Sequence, residues 1–173
     1  MKRFVAGVLS VLLLLILMSI SIARLGIVAV NADGNHSSLE ARLMPLALQS
    51  SVARHAPDLT NPVQVTEDNL KSAAILYRAN CSQCHGTPAG PTTLMGKSFY
   101  PPATQLGDGL HDYSESQIFW MIKHGIRNTG MPAWGDLLPD ESIWQLVNLL
   151  KHQDDLPPSV KAQLKPGAKY KTE

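Results

Sequence analysis

Cys81-Ser82-Gln83-Cys84-His85-Gly86 is the stretch on which the fold turns. A C-x-x-C-H run is the attachment signature of a c-type haem. Each residue type in it has one task. Cys81 and Cys84 would form thioethers to the two haem vinyl groups, and His85 would reach the iron as proximal ligand. Three positions thereby fix a cofactor, its face and one axial ligand. The competing chemistries fit less well. A redox disulfide of the thioredoxin type wants a βαβ setting, and none is legible here. Zinc wants about four ligands. The chain has only 2 cysteines, both inside this run, and no second ligand pair is evident.

Upstream, the pattern predicts a helix over about 67–80 that runs straight into Cys81 and aims the motif. Thr66 suits its N-cap, and Glu67 and Asp68 suit the positive end of its dipole. Leu70, Ala73, Ala74 and Tyr77 share one face at i, i+3, i+4, i+7 spacing. Downstream, residues 86–113 are punctuated by Thr87-Pro88-Ala89-Gly90-Pro91, Pro101-Pro102 and Gly107-Asp108-Gly109, which predicts loops. A second helix begins near Ser114, where Ser114-x-x-Gln117 fits a capping box. Ile118, Phe119, Met121 and Ile122 give it an apolar face, and Gly125 is a candidate for its C-terminal cap. A last helix is predicted over about 139–152, with Pro139, Asp140 and Glu141 at its start and Ile143, Trp144, Val147 and Leu150 as its buried stripe. Asp154-Asp155 and Pro157-Pro158 end it. The lysine-rich residues 161–173 read as a mobile tail. No strand pattern or internal repeat is evident.

The chain of 173 residues opens on a different composition. Residues 4–30 carry one charge, Arg24, and follow Lys2 and Arg3. A cleaved export signal has an apolar centre of roughly 7–15 residues and a small-residue cleavage site, which Val30-Asn31-Ala32 supplies. A spanning helix needs about 20 apolar residues. Val5–Ile22 nearly meets that, and Leu25–Val30 extends the run. Length favours an uncleaved anchor; Arg24 is the objection, answered if it snorkels at the outer end. Lys2 and Arg3 hold the N-terminus in the cytoplasm. Either fate exports the rest of the chain, which suits thioether chemistry. The expected organisation is an anchor or signal over 1–30, a linker over 31–65, a haem domain over 66–153 and a polar tail over 154–173. Asp33-Gly34-Asn35 marks a turn in the linker, and Leu39–Val52 permits a short amphipathic piece around Pro45 lying partly on the domain.

Beyond residue 30 there are twelve Lys and Arg against fourteen Asp and Glu. So weak a field does not suit nucleic acid.

The function of a His-ligated iron is set by its other axial position. Methionine gives an electron-transfer centre of raised potential; an open site gives ligand binding or catalysis. Met95 follows His85 too closely to cross the haem plane easily. Met121 lies among apolar helix neighbours, where core packing is the ordinary fate of methionine. Met131 lies in a loop between Gly130, which permits unusual backbone angles, and Pro132, which fixes the next one. That favours Met131. His55, His111 and His124 are rival ligands, but a lone histidine is ordinarily surface, and His124 at a helix end suits the last carbonyls. Trp134, beside Met131, is the aromatic best placed to touch haem; Trp120 and Phe119 suit core equally. Lys97, Lys123, Arg127 and Lys151 could meet propionates or partners, with plain solvation the simpler fate for each.

A helix ending in C-x-x-C-H-G, a loop with Gly-Met-Pro, then an amphipathic helix together resemble the class I monohaem cytochromes c over about residues 66–152. The string Gly125-Ile126-Arg127-Asn128-Thr129-Gly130-Met131-Pro132-Ala133-Trp134 looks closest to small bacterial members. The resemblance implies an all-α cytochrome c fold of three to five helices around one covalent haem, here preceded by a transmembrane helix. It implies thioethers at Cys81 and Cys84, His85 as proximal ligand and Met131 as distal ligand. It also implies a crossing of first and last helices, with Ala73 where the family has glycine and Trp144 as the aromatic. It does not cover residues 1–65.

The expected function is one-electron transfer by an exported, membrane-tethered cytochrome that works with redox partner proteins and is not itself an enzyme. It would take no small-molecule substrate. The alternative is a fixed haem-bearing subunit of a larger membrane dehydrogenase or reductase, which an exposed apolar patch near residues 36–65 would favour. A sensor or enzyme with an open distal site fits less well, because no acid–base constellation accompanies Met131.

Overall fold

Helix α1, Lys2–Arg24, is long and apolar enough to cross a membrane, and none of it is buried against protein. The hydroxyls of its three serines are internally satisfied. The hydroxyls of Ser10, Ser19 and Ser21 donate to the carbonyls of Ala6, Leu15 and Leu17 at 2.9, 2.9 and 2.8 Å. Lipid supplies no partner for a hydroxyl, so this is the arrangement hydrocarbon demands. The helix stops sooner than its apolar run. Gly26 takes a φ of 63°. Its N–H donates to Ala23 and that of Ile27 donates to Ile22, at 3.4 and 3.3 Å. These two bonds are a Schellman stop, and they leave Arg24 in the last turn. A computed structural model describes residues 1–33 and 37–165, without the side chain of Asp108. Gly34 and Asn35 of the expected turn, and residues 166–173 of the expected tail, lie outside the described residues.

The contacts divide the chain into two units, Met1–Gly34 and Asn35–Glu173. The second is all-helical among the described residues. Helix α2, Ser38–His55, is capped by the Ser37 hydroxyl and runs through Pro45. Pro45 deprives it of only one internal hydrogen bond. Its second half is held by packing: Val52 is fully buried, Leu48 half-buried, and the His55 ring stacks at 6.3 Å on Trp120. Part of the expected linker is thus one wall of the compact unit.

Helices α3, Glu67–Asn80, and α8, Asp140–Lys151, form the central pair. The Thr66 hydroxyl accepts from Asn69 N–H at 3.2 Å, as an N-cap does. Leu70, Ala73, Ala74 and Tyr77 are buried on α3, and Ile143, Trp144, Val147 and Leu150 on α8. Ala73 and Trp144 are both core residues of this pair, as the family resemblance implies. Helix α7, Glu115–His124, closes the layer with the expected capping box at Ser114 and Gln117. Its Phe119 ring stacks on Trp144 at 4.1 Å with an 11° tilt. Asn61 and buried Asn148 pair at 2.7 Å, and Asn148 donates onward to the Val63 carbonyl at 2.9 Å. This strap leaves the buried amide satisfied.

Four short helices complete the unit: α4, Ser82–His85; α5, Leu94–Lys97; α6, Leu106–Gly109; and α9, Pro158–Gln163. The last departs from the expected polar tail beginning at residue 154. A 3₁₀ turn over Gln153–Asp155 redirects the chain, and Pro158 starts a helix instead of only ending one. Leu156 and Val160 are buried. α9 packs on α3, where Ser159 donates to Glu67 at 2.6 Å and Arg78 donates to the Gln163 carbonyl at 2.8 Å. Val160→Ala should cost roughly 2 kcal/mol in denaturant unfolding, from lost methyl burial plus the cavity left behind. A change near zero would show that α9 does not hold α3.

Candidate functional site

α3 runs into the motif, with Cys81 as its C-cap. The Cys81 N–H donates to Tyr77 at 2.8 Å as the last α3 bond. Cys84 and His85 N–H both donate back to the Cys81 carbonyl, at 3.2 and 3.0 Å. Cys81, Cys84 and His85 therefore lie at i, i+3, i+4 on one helical turn and share a face. Gly86 ends the turn at a φ of 70°, and a Cβ there would strike the Pro91 carbonyl.

The loop that follows clamps the turn from outside. Thr93 N–H donates to the Cys84 carbonyl at 3.1 Å, and its hydroxyl donates to the Gln83 carbonyl at 2.5 Å. Gly96 of α5 lies so close that a Cβ would collide with the Cys84 carbonyl oxygen. His85 Nδ1 lies 2.8 Å from the Thr104 carbonyl oxygen. A carbonyl only accepts, so Nδ1 carries the proton and Nε2 presents its lone pair, the tautomer a metal ligand needs.

Met131 belongs to a loop built on the end of α7. Gly125 turns the chain at a φ of 66°, and Asn128 takes a φ of 59°. Trp134 and Gly135 N–H then return to the Ile122 and Lys123 carbonyls at 3.1 and 2.9 Å, satisfying the end of α7. The Thr129 hydroxyl donates to Ile126 at 2.7 Å and accepts from Met131 N–H at 3.0 Å. Met131 is half-buried against the core. A Cβ on Gly125 would sit 2.6–2.8 Å from backbone atoms of residues 131–133. Gly125→Ala combines that clash with left-handed backbone strain, so it should cost at least about 2 kcal/mol by thermal unfolding. Native stability in that variant would mean the loop has another seat.

One segment touches both halves of the site. A Cβ on Gly130 would be 2.7 Å from the Phe99 ring, so Phe99 lies directly on the methionine loop. Thr104, in the same stretch, holds His85. The motif residues are thus grouped on one turn, and the Met131 loop is linked to them through residues 99–104. Met121 is buried in the core, whereas Met95 is exposed in α5. His111 and His124 are exposed, and the rings of His55 and His124 lie near Trp120. Lys123 is engaged with Asp140 at 2.7 Å and Lys151 with the Tyr113 carbonyl at 2.8 Å. Thr93, Gly96, Phe99 and Thr104 had no signal strong enough to single them out. Thr104 acts through a carbonyl that any residue would supply, and only the small Gly96 three residues after Thr93 hinted at a close approach.

The chemistry of the donor set fits a c-type haem. Both cysteines are free thiols. Burial, and then the charge of Cys84, pushes the Cys81 thiol up to about 12. A redox C-x-x-C pair works by the opposite shift, a stabilised thiolate. The neighbouring Tyr77 hydroxyl is buried with no hydrogen-bond partner among the described residues, and burial raises its pKa further. Such an orphan beside the motif is expected where a bound group or water completes the interior.

The helical pair, the attachment turn and the methionine loop together have the arrangement of a c-type cytochrome domain, whose donor set fits a c-type haem. Residues 68–150 match the family described as cytochrome C oxidase, cbb3-type, subunit III. The chain is 40% identical over 88 residues to "Cbb3-type cytochrome c oxidase subunit CcoP" of Rhodobacter capsulatus, covering 49% of this chain and 26% of that protein. It is 30% identical over 95 residues to "Cbb3-type cytochrome c oxidase subunit FixP" of Sinorhizobium medicae, covering 50% of this chain and 30% of that protein. It thus spans less than a third of the length of these relatives. No solved structure matches the chain.

Proposed function

We propose that this protein carries single electrons through one covalent haem, with His85 and Met131 as axial ligands, on a domain tethered by α1 at the extracytoplasmic face of a membrane. The observation that carries this is the attachment turn, where two thiols and an imidazole share a face and Thr104 leaves Nε2 available. Bound there, haem iron supplies a one-electron change between ferric and ferrous states. The protein's own part is to orient and to exclude. Thr104 fixes the His85 ring. Thr93 and Gly96 hold the turn that bears the thiols. The Gly125–Gly135 loop presents the Met131 thioether, and the packed core keeps water from that side. No proton transfer or bond-making role falls to any side chain.

The intact mass should exceed that of the polypeptide by one haem, and the oxidised protein should show the weak near-infrared band of methionine ligation. A second haem mass, or a spectrum without that band, would overturn the corresponding part. Salt and carbonate washes should leave the protein in the membrane fraction, since α1 meets the length a span requires. Recovery of a soluble form beginning near Ala32 would show cleavage instead.

The names of the relatives, and the exposed apolar side chains of Leu39, Leu43, Met44 and Leu46 within residues 36–65, support a second reading, a fixed electron-transfer subunit of an oxidoreductase complex. Purification in mild detergent separates the two. A free carrier elutes alone; a subunit brings its complex with it.

A further inference from the structure

The described surface holds one organised apolar feature outside both the haem site and α1. It lies on the first half of α2. Leu39, Leu43 and Leu46 are 64%, 49% and 59% exposed. Their spacing, i, i+4, i+7, puts them on one stripe. Val52, fully buried against the domain, follows Leu43 by about two and a half turns at about 3.6 residues per turn, so it faces the opposite side. α2 is therefore divided: its second half is seated on the domain through Leu48 and Val52, while its exposed first half carries the leucine stripe, with Met44, 49% exposed, turned to another side.

We infer that this leucine stripe lies in the membrane surface, seating the cytochrome domain on the lipid through α2. The inference rests on the proposal that α1 spans the membrane. Three observations choose lipid over a protein partner. The first is reach. The sequence stays apolar to Val30, and an extended chain from Val30 to Leu39 covers at most about 30 Å, so the stripe is confined close to the bilayer at high effective concentration. The second is charge. Arg42 and Arg54 flank the stripe on its two sides, while Glu40 is the one acidic residue of α2. Arginines at those flanks can keep their stems on the apolar boundary and their heads among anionic phosphates. The third is area. Three leucines expose far less than the about 800 Å² per partner of a stable protein interface, but they suit shallow burial of an interfacial helix. Pro45 lies between Leu43 and Leu46 in sequence but on the side of α2 turned away from the stripe, so the freed Ala41 carbonyl can meet water there.

The test uses the full-length holoprotein in vesicles of phosphatidylethanolamine and phosphatidylglycerol. A nitroxide is placed at Leu43→Cys, at Leu46→Cys as a second site, and at exposed Lys161→Cys as reference. The haem absorbance of each variant checks folding, and thioether-bound Cys81 and Cys84 do not take the label. The labels on α2 should be reached readily by oxygen and several-fold less by a water-soluble nickel chelate than the label at residue 161. Nickel access equal to the reference overturns the inference. Shielding from both oxygen and nickel, with dipolar broadening, also overturns it, because it shows a second copy on the stripe. A carbonate wash of the same vesicles separates the layers of the argument. Retained protein with nickel-accessible α2 labels overturns this inference alone; released protein overturns the tether and this inference with it.

Discussion

Replacing Cys81 and Cys84 together with Ala should leave no haem on the polypeptide after denaturing electrophoresis. Each thiol would serve one vinyl group, and the sequence has no other cysteine to substitute. The effect should extend to the fold. A domain of this size has a small core of its own, and the covalently held porphyrin supplies apolar interior that the side chains do not. The double variant should therefore accumulate poorly and melt early, while a single replacement keeps haem by one bond at reduced yield. Full haem retention in the double variant would remove the basis for the attachment turn.

Met131→Ala should open the iron and lower its potential, by on the order of 0.1–0.2 V out of the about 0.8 V that axial ligation commands. A thioether stabilises ferrous iron, so its loss favours the ferric state. Carbon monoxide, which the parent protein should exclude, should then bind the reduced variant readily. Met121→Leu is the control. Met121 is buried in the core beside Ile118 and Ile122, so a near-isosteric change should cost under about 1.5 kcal/mol and leave the spectrum unchanged. Should Met121→Leu open the iron and Met131→Ala leave it closed, the methionine and the role of the 125–135 loop have both been misassigned.

The sequence made the long elements plain because their signals are local. Thr66 and the Ser114–Gln117 box name helix starts by hydrogen bonds made within three residues, and all of these bonds form. The stripes of α3 and α8 declare their buried faces by period alone. What stayed hidden depends on distant partners. α9 is six residues long and exists because Val160 has α3 to rest on, which no local pattern announces. α2 runs past Pro45 because packing at Leu48 and Val52 outweighs one missing hydrogen bond. Of the site, the attachment turn was visible as a motif. Its supports were not: Thr104 contributes a main-chain carbonyl, and Phe99 contributes a ring whose seat is a glycine thirty-one residues later.

The pairing of α3 with α8 and α9 also sets a timetable. α3 is 14 residues long, too short to persist alone in water. The elements that bury it, α8 and α9, follow it out of any machine that makes or exports the chain from its N-terminus. Through that interval Cys81 and Cys84 should remain open to whatever joins haem to them. When α8 and α9 arrive and close on α3, Cys81 becomes partly buried against the core. Haem attachment at these thiols should therefore have to precede burial, with the length of chain between Cys84 and Trp144 as its head start.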